Sequence, residues 1–149
     1  KGHLGSNLER IVRASHKPVF VASRAFKPIS KVLLAYDGGT SARKAVDYVA
    51  RSPLFKGLWV HIVTVGDASP EVLEDLRNVS ATLQAVGIQS ETSVLPGPPE
   101  TALSQLVERE QFNMLVMGAY GHSRIRNLII GSTTTEMVRF CKVPVVLIR

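Results

Sequence analysis

Residues 31–65 read KVLLAYDGGTSARKAVDYVARSPLFKGLWVHIVTV. The run from Lys31 to Tyr36 is apolar for most of its length and stops at Asp37-Gly38-Gly39, a turn composition. Thr40 or Ser41 can then cap a helix in which Ala42, Ala45, Val46, Val49 and Ala50 fall on one face. Leu58 to Val65 is a second apolar run of strand length. A strand with little polar alternation is buried on both faces. Two such strands joined through a helix form a parallel βαβ unit.

The same grammar continues to the end of the chain. Ser69-Pro70-Glu71 presents an N-cap, a proline at the first helical position and an acid in the first turn. The helix it opens carries Val72, Leu76, Val79 and Leu83 and ends near Gly87. Ile88 to Val94 alternates as a third strand, and Pro96-Gly97-Pro98-Pro99 is a stiff turn. Glu100 opens a helix with Leu103, Leu106 and Val107 inward, followed by a fourth strand, Met114 to Met117. After a polar, glycine-bounded loop, Ser132 or Thr133 caps a last helix. Thr133 and Glu136 have the spacing of a capping box. Val143 to Ile148 is the fifth strand. The order βαβαβαβαβ with right-handed crossovers predicts an α/β doubly wound fold, its ligand crevice at the carboxyl ends of the strands.

With 149 residues and a mass of 16.2 kDa, the chain is long enough for one ordinary domain. Hydrophobic residues make up 45% and charged residues 20%, a globular balance, and no apolar run is long enough to span a bilayer. A single cysteine, Cys141, excludes an intrachain disulfide and a cysteine zinc site; it suits a reducing, cytoplasmic compartment. The net charge of +6 would suggest a polyanionic partner. However, residues 1–31 hold seven basic residues against Glu9 alone, and residues 32–149 are balanced. The excess therefore belongs to one short segment, and neither nucleic-acid binding nor membrane association is expected.

That segment has a counterpart. Residues 5–21, GSNLERIVRASHKPVFV, align without a gap to residues 131–147, GSTTTEMVRFCKVPVVL. Gly5/Gly131, Ser6/Ser132, Val12/Val138, Arg13/Arg139, Pro18/Pro144 and Val19/Val145 are identical. Both copies read as cap, amphipathic helix, turn, proline and strand. The expected organisation is the last helix and strand of a preceding domain at 1–22, a basic linker at 23–29, and a complete domain at 30–149. On that reading, the basic excess is set against a first domain that the chain lacks.

The loop after the fourth strand carries the chemistry. Residues 118–133 read GAYGHSRIRNLIIGST, with glycines at Gly118, Gly121 and Gly131 and hydroxyls at Ser132 and Thr133. Glycines at 118 and 121 let backbone approach a phosphate and permit positive φ. A helix starting at 131–133 offers free N–H groups and the positive end of its dipole to an anion. The hydroxyls can bond phosphate or a metal-bound water. The pattern describes a polyphosphate cradle. Arg124 and Arg126 lie within it, either reaching phosphates or solvated. There is no P-loop and no GxGxxG.

The stretch Val116-Met-Gly-Ala-Tyr-Gly-His-Ser-Arg124, with Gly131-Ser132, Val143-Pro144-Val145 and the opening Lys31-Val-Leu-Leu-Ala-Tyr-Asp-Gly38, resembles the universal stress protein family. The likeness covers 30–149 as a whole domain and 2–22 as the tail of another. It implies a five-stranded parallel sheet of order 3-2-1-4-5 with helices on both faces, and an ATP site, with magnesium accompanying the triphosphate. Carried over residue by residue, adenosine contacts fall on Ala35, Asp37 and Val65. Phosphate and ribose contacts fall on Met117, Gly118, Gly121, Gly131, Ser132 and Thr133, and Arg124 is added from its place in the loop. Ala35 departs from the proline that many members carry. The family also pairs edge to edge through its last strand, which implies a homo-oligomer, or a pseudo-dimer with the preceding domain, and places Val19–Ala22 beside Val145–Ile148.

Hydrolysis needs a positioned water and a base, and no base stands beside the cradle in sequence. His122 has no carboxylate partner nearby and reads as a loop histidine, Cys141 as a buried inert thiol, and Trp59 and Met117 as core residues. The expected function is a nucleotide-dependent stress-response regulatory module with slow or no turnover. The alternatives are a slow ATPase, an ATP-pyrophosphatase-like enzyme, to which Asp37-Gly-Gly-Thr-Ser41 bears a faint likeness, and an interaction scaffold working through strand edges.

Overall fold

The computed structural model describes residues 10–12, 14–15, 17–23, 27–119 and 141–149. Its strands are β1 (Val19–Val21), β2 (Lys31–Ala35), β3 (Trp59–Val65), β4 (Gln89–Leu95), β5 (Met114–Gly118) and β6 (Val145–Ile148). Among the described residues the helices are α1 (Thr40–Arg51), α2 (Pro70–Ala85) and α3 (Pro99–Glu110), with a 3-10 turn at Pro53–Phe55; residues 10–12 and 14 are also helical. The strands form a single sheet in the order β1-β6-β5-β2-β3-β4. All neighbours from β4 through β6 are parallel. The five strands after β1 thus stand in the expected order 3-2-1-4-5.

The sheet has a sixth strand. β1 lies antiparallel on β6, with Val19 opposite Leu147 and Val21 opposite Val145. This is the placement expected of the tail. Val19 and Val21 pack towards one face of the sheet, and Phe20 between them stays exposed.

Two apolar layers hold the helices on. On one face, Val32, Leu34, Val60, Ile62 and Val116 meet the inward residues of α1 and α2, including Ala45, Val49, Leu76 and Leu83. On the other, Leu33, Val63, Leu115 and Leu147 meet Leu103, Leu106 and Val107 of α3, and Val12 of the N-terminal segment joins them. Leu33, Leu34, Ile62, Leu115 and Leu147 are fully buried.

Some boundaries differ from the sequence reading. Gly39, not Thr40 or Ser41, is the N-cap of α1, and no side chain caps it. Ser41 instead points inward and is the one buried polar residue among those described. Ser69 caps α2 as expected, its Oγ accepting from Val72 N–H at 3.2 Å. α3 starts at Pro99, and Gln111 at φ 59° ends it. β6 begins at Val145, two residues late, because Pro144 carries no N–H for a ladder. β5 extends through Gly118, which is therefore a strand residue. The last helix expected to be capped at Ser132 or Thr133, with Glu136 as its partner, lies outside the described residues.

Candidate functional site

β2 is the first strand of the unit. The chain leaves it towards β3 on one side and returns to β5 on the other. The switch point therefore lies between the carboxyl ends of β2 and β5, where a doubly wound sheet opens its crevice. Ala35 closes β2 and stands in register with Met117 of β5. Val65 closes β3, and Gly118 closes β5. Asp37 lies two residues beyond Ala35 and is exposed. Five sequence-predicted residues, Ala35, Asp37, Val65, Met117 and Gly118, are thus gathered on three adjacent strand ends. Gly121, Arg124, Gly131, Ser132 and Thr133, together with His122 and Arg126, lie outside the described residues.

The rim is tightly specified by hydrogen bonds. Tyr36 N–H donates to Val63 O at 2.8 Å, and Thr64 Oγ1 donates to Tyr36 O at 2.7 Å. Gly38 adopts φ +80°, a conformation that a side chain would strain. Gly39 N–H donates to Asp37 Oδ1 at 2.8 Å, closing an Asx turn. On the β3 side, Gly66 N–H donates to Leu95 O at 2.8 Å. On the β5 side, Ala119 N–H donates to Ile148 O at 2.8 Å.

Gly118 has a different physical reason from the one its sequence position suggests. Its φ is not among the positive values. A Cβ placed there would lie 2.6 Å from Ser41 Cβ, 2.8 Å from Ala42 N and 2.9 Å from Ser41 C. Its missing side chain is space taken by the first turn of α1, so that helix can sit directly on the end of β5. The expected positive φ is corrected accordingly.

Sequence reading missed a cluster behind the rim. Tyr36 is buried, and its hydroxyl donates to Asp75 Oδ2 at 2.9 Å. Arg43 Nη2 meets the same oxygen at 3.2 Å, and Arg43 Nε donates to Gly38 O at 3.1 Å. The guanidinium lies 5.9 Å from the centre of the Tyr36 ring. Burial, then the bond to Asp75, pushes the Tyr36 phenol up to about 12. A signal did exist: Asp75 follows Val72 by three and precedes Val79 by four, so an acid sits on the apolar stripe of α2.

Other titratable groups lie elsewhere. His61 sits mid-strand in β3, opposite Leu33, with Nε2 2.7 Å from Ser93 Oγ. Burial lowers its pKa, the nearby Glu91 opposing. It packs against Trp59 and Phe112, whose rings stack at 6.3 Å. Trp59 is only partly buried, short of the core position expected of it, whereas Met117 is core. Burial pushes the Cys141 thiol up, in keeping with an inert thiol. A groove of about 790 Å³ lined by Lys17, Lys44, Arg51 and Arg149 lies between the N-terminal segment and α1, and none of the predicted site residues lines it. Among the described residues, no cluster of His, Cys, Asp and Glu could hold a metal, and no helix is long and apolar enough to cross a membrane.

The profile of the universal stress protein family matches residues 65–149, more than half of the chain. The chain belongs to the universal stress protein family. A universal stress protein of Synechocystis sp. is 42% identical over the whole chain, which spans 53% of that relative. Among solved structures, a universal stress protein of Archaeoglobus fulgidus superposes with a TM-score of 0.71 at 27% identity, over 95% of this chain and 52% of that one. A universal stress protein in complex with cAMP superposes with a TM-score of 0.66 at 26% identity, over 83% of this chain and 98% of that one. The chain thus spans about half the length of the Synechocystis and Archaeoglobus relatives.

Proposed function

We propose that this universal stress protein domain binds an adenine nucleotide, ATP with magnesium, at the carboxyl ends of β2, β3 and β5, and acts as a nucleotide-dependent regulatory module. The observation that carries this reading is the register of Ala35 and Met117 across the switch point, with Asp37 exposed just beyond. The donor set fits a nucleoside. Main-chain groups at Ala35 and Val65 suit the flat edge of adenine, the Asp37 carboxylate suits a ribose hydroxyl, and Met117 stands beside them on the ribose and phosphate side. One oxygen of Asp37 is held by Gly39 N–H, which fixes the direction of the other. Gly118 leads the chain from this rim into the loop whose Gly121, Gly131, Ser132 and Thr133 would receive phosphates, with Arg124 as a further cation. The complex of a 26% identical relative with cAMP supports an adenine ligand.

Magnesium, when bound with the nucleotide, would supply charge neutralisation of the phosphates; hydroxyls at Ser132 and Thr133 would meet its water shell. Slow or absent hydrolysis is supported by the placement of two candidate bases among the described residues. His61 is mid-strand and bonded to Ser93, and Asp37 is engaged in its own turn. The test is mass spectrometry of the nucleotide released from purified protein, followed by calorimetric titration with ATP, AMP and inorganic triphosphate. Binding of ATP and AMP, with loss on Asp37→Ala, is expected. Binding of triphosphate alone would overturn the adenosine half of the site.

A second reading, an interaction scaffold, is favoured by the β1–β6 ladder. In a tandem protein, residues 1–22 would close a preceding domain, and the ladder would join the two as a pseudo-dimer. The half-length coverage of two relatives supports that organisation.

A further inference from the structure

The segment Tyr36–Gly39 emerges from a buried strand and forms the rim on which the adenosine reading depends. Three elements around it contribute restraints. β3 holds the Tyr36 peptide through Val63 and Thr64. α1 reaches back through Arg43 to the Gly38 carbonyl. α2 supplies Asp75, which receives both the Tyr36 hydroxyl and the Arg43 guanidinium on the same oxygen. That oxygen is also 3.6 Å from where a Gly38 Cβ would stand, so a side chain at 38 would come into contact with the carboxylate. Tyr36 belongs to the apolar layer under α1 and α2. Ala35, Val65 and Met117 belong to the opposite layer, with α3. The clamp therefore grips the rim from the face of the sheet opposite the side chains of Ala35, Val65 and Met117.

We infer that Asp75, acting through Tyr36 and Arg43, is the positioning residue of this site: it holds Asp37–Gly39 in the conformation that receives the nucleoside, and so sets nucleotide affinity without touching the nucleotide. This rests on the adenosine reading above. Three restraints depend on one carboxylate. Without it, Arg43 has no anion to hold its guanidinium over the Gly38 carbonyl, and the Tyr36 hydroxyl is left partly buried without its acceptor, an arrangement a folded chain avoids by moving. A loop released in this way spends less time in the binding conformation, and apparent affinity falls by that fraction. The inference also gives α2, whose outer face is solvent-exposed, a mechanical route to the site.

The test uses the full chain and three variants. Asp75→Ala removes all three restraints, Asp75→Asn keeps an acceptor for the Tyr36 hydroxyl, and Tyr36→Phe removes only that hydroxyl. Amide hydrogen exchange at Gly38, Gly39 and Thr40 reads the loop without ligand, and calorimetry with AMP reads affinity. In Asp75→Ala, exchange at these amides should rise about tenfold while that of β2 and β5 stays at the parent value, and AMP should bind about tenfold more weakly. Asp75→Asn, which keeps the acceptor for Tyr36 but not the charge that holds Arg43, should recover about threefold of both losses, and the parent-like exchange of β2 and β5 separates this from a nonspecific loss of stability. Should Asp75→Ala fail to fold, Tyr36→Phe carries the test, with about threefold changes in the same two readings. Parent-like exchange at Gly38 and Gly39 overturns the clamp. Faster exchange with AMP affinity unchanged overturns its role in positioning. A parent that binds no adenine nucleotide overturns the ligand reading, while the exchange data still decide whether Asp75 holds the loop.

Discussion

Replacing Gly118 by alanine should damage the fold through α1 rather than through any ligand. The added Cβ would sit 2.6 Å from Ser41 Cβ, 2.8 Å from Ala42 N and 2.9 Å from Ser41 C. Non-bonded carbons settle at about 3.5–4.0 Å, so the first turn of α1 must retreat by about 1 Å. Two of the three clashing atoms are backbone, and no rotamer change relieves them. Overpacking of a well-filled core costs about 1–3 kcal/mol, and a backbone clash belongs at the upper end. For a chain of this length, about 2–4 °C of melting temperature accompanies each kcal/mol, so a loss of about 5–10 °C is expected. Thermal denaturation followed by circular dichroism measures it. Adding Ser41→Gly deletes the closest contact but leaves the two backbone ones, so the double variant should regain only part of the loss. A Gly118→Ala protein that melts within about 1 °C of the parent, yet loses nucleotide, would show that the glycine serves the ligand and that the packing account is wrong.

Further outcomes follow from other sites. Ser69→Ala removes the acceptor for Val72 N–H and should cost about 1 kcal/mol in a urea titration; an unmoved midpoint would rule out the cap. Leu33→Ala, at a fully buried position in the central strand, should cost about 2–5 kcal/mol, and a smaller loss would mean that the layer under α3 collapses to fill the space. Burial holds His61 below its ordinary pKa, so the unfolded chain takes up its proton first as pH falls. The stability this residue contributes is therefore present above the ordinary histidine value of about 6.5 and is lost as pH falls from there through the folded pKa. His61→Gln should flatten that part of the stability–pH curve, and an unchanged curve would refute the assignment.

The strands and their order were readable because β2, β3 and β5 are apolar runs of strand length, each closed by glycine or an Asp-Gly pair. Nothing else in a chain of this size explains three such runs separated by helices. The errors lie where partners distant in sequence decide. Thr40 and Ser41 look like caps in isolation, but the approach of α1 to Gly118 turns Ser41 inward and leaves Gly39 as the cap. Gly118 read as a loop glycine because Gly121, His122 and Ser123 follow it closely in sequence. Its partner is a helix that begins near the other end of the unit. The strand-end half of the site was legible because a doubly wound order fixes where the crevice must open. The clamp was harder to see because its three members sit on three elements. Only Asp75, an acid on an apolar stripe, stood out locally.

The pairing of β1 with β6 bears on the order of assembly. Val19 and Leu147 lie far apart in sequence, so their ladder closes a loop that contains β2 to β5. The entropic cost of that closure grows with loop length unless the intervening chain is already folded. β1 is then the last strand to zip and the first to peel. Peeling bares β6, four apolar residues with an unpaired edge, as an adhesive strip for any extended chain. The three residues of β1, Val19–Val21, thus act as the closure that keeps a sticky sheet from propagating.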